Sequence, residues 1–407
     1  MTTKRAVAAG RPAVAITGIG AVCGFGYGVD ALLAGLRAGR PAIAEIDLFP
    51  VDAHRTRLGS QVRASAPARL DRGLSRGDRF AVCAAREAVA RAGLDARTLA
   101  DAGVFFGSSN GGLLEGERFL RRLRAGASLG LRAVASHQNN GPGDAVAHDL
   151  AVQGPVVTSS SACTSANMAL AAALDALRAG ECEVAIAGGA DAMCETTYAG
   201  FNSLRAVDPA PAQPFRRARA GLSMGEGAGV VVLETLAHAR ARGATVLAEL
   251  VGAGASCDAH HMSAPRDDGS GSLAAMERAL RDAGESPAAI DFVNAHGTGT
   301  PHNDVAEAHA LRTLLGEAAA RVPITSTKSL LGHLLGGCGG LEAVVCVLGL
   351  TWGEVHATAG EGPADPEFGL DLVHGSTRAL TRARLALSNN LAFGGNNCTV
   401  LLRRPQP

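Results

Sequence analysis

Short runs of β-branched and small apolar residues alternate along this chain with longer segments of helical period, and that alternation restricts it to layered α/β folds. The strand-like runs are AVAITGIGAV from Ala13, AGVFFGSS from Ala102, PVVTSSS from Pro155 and EVAIAGG from Glu183. The clearest helical segments are RFAVCAAREAVARAG from Arg79 and SANMALAAALDALRAG from Ser165, each ending on a glycine placed to close the helix. With 52 glycines and only 3% aromatic residues, layers must approach through small side chains.

The two ends of the chain resemble each other. AVAITGIGAVCGFG has a counterpart in TVLAELVGAGASCD from Thr245, and PVVTSSSACTSANMALAAAL has one in PITSTKSLLGHLLGGCGGLEAV from Pro323. Each member of the second pair reads as a strand, a Ser/Thr-rich turn and a small-residue helix. Two similar halves, residues 1–250 and 251–407, are expected to share a core and form one compact unit.

Composition removes several function classes. Hydrophobic residues make up 47% of the 407, and Lys+Arg and Asp+Glu both total 38, which gives a globular chain without the charge excess of a nucleic-acid or membrane-surface binder. A local basic patch, such as Arg118, Arg121, Arg122 and Arg124, is compatible with this balance. The apolar run after Pro12 is too short for a signal peptide or a membrane span, so a cytoplasmic protein is expected. Nine scattered cysteines with no C-x-x-C pair suggest neither a disulfide framework nor zinc.

The chemistry is carried by a few segments. Cys163, in TSSSACTSAN, falls where a strand ends and a helix begins, a nucleophile elbow in which the helix dipole favours thiolate and nearby N–H groups can bind an oxyanion. His296, in NAHGTGTP, follows the strand-like DFV and precedes a helix expected from about Asp304. His333 ends STKSLLGH, with Lys328 upstream and Glu342 downstream. Two histidines, each easily held in either protonation state near neutral pH, can donate hydrogen bonds to a carbonyl becoming an enolate. Near the C-terminus, Phe393 precedes Gly394 and Gly395, whose backbone freedom permits a hinge. The GEGAG run from Gly225 resembles a phosphate loop but precedes a strand, which rejects a dinucleotide fingerprint.

Taken together, SSACTSA, NAHGTGTP, STKSLLGHLLG, GLEA and AFGGNN resemble, in order and spacing, the elongating β-ketoacyl-acyl carrier protein synthases of the thiolase superfamily, over nearly the whole chain. The resemblance implies an α/β fold of duplicated, five-layered αβαβα type. It implies a homodimer or a heterodimer with a ketosynthase-like subunit, and an active site at the foot of a tunnel for the phosphopantetheine of an acyl carrier protein. By the same resemblance, Cys163 is the acylated nucleophile, and His296 and His333 assist malonyl decarboxylation and stabilise the enolate. Lys328 with Glu342, and Asp304 with Glu307, are supporting pairs. The N–H groups of Cys163 and Phe393 form the oxyanion hole, and Phe393, Gly394 and Gly395 the gate. Thr298 and Thr300, with Ser263 as a weaker candidate, hold the pantetheine arm. No metal or redox cofactor is implied.

The chain departs from the family pattern at Arg216 and Ala220, where Pro-Phe-Asp and Arg-Asp-Gly are usual, and at Asn390, Leu391 and Asn396, where Ser, Phe and Thr are. These changes suit a specialised polyketide, polyene or unusual acyl chain better than routine fatty-acid synthesis. Two other readings are weighed. A chain-length-setting partner subunit typically lacks the nucleophile, whereas this chain has Cys163, His296 and His333. A coenzyme A-dependent thiolase needs a second cysteine in a Cys-x-Gly context, and Cys398 is followed by Thr399 and Val400.

Overall fold

The computed structural model describes residues 13–67, 70–71, 73–127, 134–135 and 137–405. Residues 1–12, which precede the apolar run considered above, lie outside the described residues.

The first half contributes strands β1 (Val14–Cys23), β2 (Gly103–Gly107), β3 (Val156–Ser159), β4 (Val184–Asp191) and β5 (Gly227–Thr235). The second contributes β6 (Ala248–Cys257), β7 (Phe292–Asn294), β8 (Pro323–Thr325), β9 (Leu385–Leu391) and β10 (Asn396–Arg403). The spatial order is β1-β5-β4-β2-β3 in one half and β6-β10-β9-β7-β8 in the other, the same path twice. Directions repeat as well: the first strand of each half runs antiparallel to its neighbour, as does the next pair, and the remaining two pairings are parallel. Antiparallel pairing of β1 with β6, Val14 opposite Leu250, joins the halves, and the junction expected near residue 250 lies inside β6.

Helices repeat on the same plan. The first half has α1 (Arg76–Ala92), α2 (Gly141–Asp149) and α3 (Ser165–Ala179), and the second has α4 (Ser270–Ala283), α5 (Pro301–Leu315) and α6 (Cys338–Trp352). Helix α1 begins at a capping box between Ser75 and Asp78 and stops at Gly93, where φ is 67°. Helix α5 starts at Pro301, before the expected Asp304, because proline has no N–H to leave unpaired in a first helical turn. Helices α3 and α6 form the middle layer: Leu170, Leu174, Leu177, Val344, Val347 and Leu348 are buried between the two half-sheets. Helices α1 and α2 cover the outer face of one half-sheet, and α4 with α5 that of the other, giving five layers in the order αβαβα.

Glycine allows the middle layer its close approach. A Cβ on Gly229 of β5 would lie 2.1 Å from the Leu341 nitrogen of α6, and one on Gly340 would lie 2.3 Å from the Gly229 carbonyl oxygen. The GEGAG run is therefore the seat of a central helix. Residues Leu335–Trp352 are apolar enough to pass for a membrane span, but they are 89% buried as this core helix and its leading turn.

Candidate active site

Each half sends the turn after its third strand into the same space between the half-sheets. The turn after β3 carries Cys163, and the one after β8 carries His333. The loop between β7 and α5 adds His296. One ligand atom from each of the three side chains lies within 4.8 Å of the other two, and all three residues are buried. Among the described residues this is also the one group of thiol, imidazole or carboxylate atoms close enough to hold a metal ion. The imidazoles stand edge to face, with ring centres 5.4 Å apart at 88°.

The elbow at Cys163 is strained and buttressed. Ala162 adopts φ 51°, and its carbonyl accepts hydrogen bonds from the hydroxyls of Ser109 at 2.9 Å and Ser165 at 2.6 Å. Helix α3 starts two residues after Cys163, as the elbow reading requires. The thiol's state differs from that reading. Burial pushes its pKa up to about 11, against the opposing pull of Lys328 and of the Phe393 and Cys163 backbone N–H groups. Desolvation of the charged form outweighs the helix end here, so Cys163 rests as a thiol. Those two N–H groups act on the sulfur, which puts both donors beside the reacting atom.

Both histidines are neutral. Burial, then the positive charge of Lys328, holds His296 and His333 well below the usual imidazole range. His333 Nδ1 accepts a hydrogen bond from the Leu335 N–H at 2.9 Å and faces the Cys338 thiol at 3.4 Å. With Nδ1 so occupied, the ring hydrogen sits on Nε2. The arrangement can donate to a developing oxyanion without carrying charge.

Carboxylates hold the loops in place. Glu307 accepts the N–H groups of His296 and Gly297, both at 2.8 Å, and burial raises its pKa to about 7. Asp304 accepts from Phe215 N at 2.7 Å and Gly299 N at 3.1 Å. Lys328 and Glu342 form a buried ion pair at 2.5 Å.

A cavity of about 430 Å³ leads from the surface to these groups, lined by Cys163, His296, His333, Thr298, Thr300, Ser263 and Phe393 among others. Thr298 and Thr300 share a hydroxyl contact of 2.9 Å on its wall. Ser263 lies nearer the surface, beside the exposed Met262. Gly394 and Gly395 have φ of 87° and 78°, and the Gly394 N–H reaches the Met262 carbonyl at 2.8 Å.

Three residues escaped the sequence reading. Phe201 stacks on Phe393 with ring centres 5.5 Å apart, a contact no local pattern announces. Buried Asp191 accepts from the main chain of Ser109, Asn110 and Gly336 and from the Ser108 hydroxyl, tying the two halves together beside His333. Asn390 was noted only as a departure, and it reaches both Glu342 and His296. Arg216, another departure, gives its donors to the carbonyls of Pro214, Thr358, Gly360 and Glu361, so the missing carboxylate is replaced by a clamp on a neighbouring loop.

Two copies of one α/β plan, with a thiol and two imidazoles meeting between them, define a condensing enzyme of thiolase-like fold. The chain belongs to the β-ketoacyl synthase family: residues 11–239 match its N-terminal domain and residues 247–360 its C-terminal domain. It is 37% identical to 3-oxoacyl-acyl-carrier-protein synthase 2 of Synechocystis sp., over 97% of this chain and 98% of that protein. It superposes with a TM-score of 0.92 on the structure described as the ishigamide ketosynthase/chain length factor, at 33% identity over 97% of this chain and 100% of that one. A second structure, AntDE:AntF, is described as a type II PKS acyl-carrier protein in complex with its ketosynthase bound to the hexaketide; it matches with a TM-score of 0.88 and 25% identity, over 97% and 100% of the two chains. The protein is thus a condensing enzyme of the acyltransferase type.

Proposed function

We propose that the chain elongates a specialised polyketide or polyene on an acyl carrier protein in the cytoplasm, with Cys163 as acyl carrier and His296 and His333 as hydrogen-bond donors to the enolate. The convergence of these three groups at the foot of the cavity carries this reading.

In the first half-reaction Cys163 Sγ bonds to the acyl carbonyl carbon, the bond to the pantetheine sulfur breaks, and the Cys163 proton passes to the departing pantetheine thiolate. The Cys163 and Phe393 N–H groups face the transient oxyanion. In the second, malonyl-carrier protein loses CO₂, and the electrons of the broken carbon–carbon bond form an enolate whose oxygen meets the two Nε2–H groups. The enolate carbon attacks the Cys163 thioester, and the released thiolate takes up one proton. Thr298, Thr300 and Ser263 hold the pantetheine arm along the cavity.

Support for the specialised role comes from the departures at Arg216, Asn390, Leu391 and Asn396, and from the relative described as a ketosynthase/chain length factor. Strand β3 ends the first half-sheet with Val156 and Val157 exposed at 42% and 39%, a surface suited to a second ketosynthase-like subunit. A thiol and two imidazoles in working geometry weigh against a purely chain-length-setting role.

The test incubates the pure protein, alone and with candidate partner subunits, with malonyl-carrier protein and a panel of acyl-carrier proteins. Products are identified by intact mass and the acyl adduct by peptide mapping. One acyl group on Cys163 is expected, with no condensation by Cys163→Ala. An adduct on another cysteine, or near-normal yield from that variant, overturns the assignment.

A further inference from the structure

Asn390 is fully buried on β9, between the ion pair and a reacting histidine. Its Nδ2 donates to Glu342 Oε2 at 2.7 Å and faces His296 Nδ1 at 3.4 Å, a long contact. Glu342 holds Lys328 with its other oxygen. The neighbouring carboxylate fixes the amide's orientation, since a flipped side chain would set Oδ1 against an anion. Oδ1 instead points at the space over Gly339, where a Cβ would lie 2.7 Å from it. Lys328, Glu342, Asn390 and His296 thus form a continuous polar chain beneath the cavity.

His296 has no main-chain donor at Nδ1 among the described residues, unlike His333 with Leu335. A neutral imidazole without a partner on either nitrogen can hold its hydrogen on either one. The wrong choice would aim a lone pair at the enolate oxygen. The charged or titrating groups around the ring are Lys328, His333 and Cys163, with Glu307 under its main chain.

We propose that Asn390 is a positioning residue for condensation: its amide links the Lys328–Glu342 pair to His296 Nδ1 and so keeps the ring hydrogen on Nε2, facing the substrate carbonyl. This rests on the assignment of His296 to the enolate step. Serine, usual in the family at this position, has a single shorter donor and cannot span both partners at once.

The experiment uses the full chain labelled with ¹⁵N-histidine, with the His296 signals assigned by their loss in His296→Ala. In the unaltered protein, Nε2 should show the shift of a protonated nitrogen and Nδ1 that of an unprotonated one. Asn390→Asp, which can only accept once ionised, should then move a hydrogen to Nδ1, and Asn390→Leu, of similar bulk, should leave a mixture. Both should slow decarboxylation of malonyl-carrier protein about 10-fold to 100-fold, with acylation of Cys163 changed less than about threefold. A hydrogen on Nδ1 in the unaltered protein overturns the proposal even if neither variant folds. So does an unchanged tautomer in the variants, or a parallel loss of both half-reactions, which marks a packing role. If His296→Ala decarboxylates normally, the reading of His296 fails. If His296→Ala is dead and the Asn390 variants are not, only the present inference fails.

Discussion

Lys328 Nζ and Glu342 Oε1 stand 2.5 Å apart, with the two side chains 3% and 2% exposed. Burial alone would lower the Lys328 pKa, but Glu342 outweighs that and the lysine's pKa is raised overall. The cation then helps hold both active-site histidines neutral. Removing one partner leaves the other charged and buried, which typically costs about 3–5 kcal/mol, whereas replacing both with apolar residues often costs far less. Glu342→Leu alone should therefore destabilise the protein by about that amount in urea unfolding, and Lys328→Met with Glu342→Leu should recover much of it. Additive losses in the double variant would mean that the pair is not coupled.

The repeat at the two chain ends was legible because strand, turn and helix are local patterns: PVVTSSSACTSAN and PITSTKSLLGH became β3 and β8 with their turns. The order of strands in each half was not, since pairing β1 with β5 and β6 with β10 is a long-range choice. Cys163, His296 and His333 were placed by the motifs around them. The protonated state of the Cys163 thiol was missed, because desolvation depends on which layers close over the site and local sequence registers only the helix end beside it. Asn390 shows the same limit: it sits in a strand, and only the fold brings Glu342 and His296 to it.

A thiol with its pKa pushed up to about 11 makes a definite pH prediction. The shift is upward, so the thiolate fraction is small at neutral pH and grows about tenfold per pH unit until the pKa is approached. Alkylation of Cys163 by iodoacetamide, followed on its own peptide because Cys257 is exposed, should rise log-linearly from about pH 7 to 10. A plateau below pH 8 would instead reveal a thiolate stabilised by a protonated histidine.

The two half-reactions should separate at His333. In the proposed mechanism, acylation uses the thiol and the N–H groups of Cys163 and Phe393, whereas enolate formation uses the imidazoles. His333→Ala should accept an acyl group from its carrier yet fail to elongate it, with decarboxylation slowed on the order of 100-fold to 1000-fold. Single-turnover acylation and CO₂ release measure the two steps. Loss of both in a folded variant would break the division of labour.

The last prediction concerns the loop at Phe393. Gly394 and Gly395 are both at positive φ but differ in their surroundings: a Cβ on Gly395 would lie 2.9 Å from the Asp258 Cβ, whereas one on Gly394 would meet only Asn396 Nδ2, at 3.6 Å. Gly394→Val therefore tests backbone conformation with little steric collision. A β-branched residue resists this region of φ, so the variant biases the loop and weakens the Gly394 link to Met262. If the loop admits the carrier-bound chain, acylation of Cys163 should slow while melting temperature and alkylation by a small reagent change little. A small reagent needs less opening than an acyl-pantetheine arm. Equal slowing of both reactions would indicate general damage to the site, and unchanged acylation would make the loop an ordinary turn.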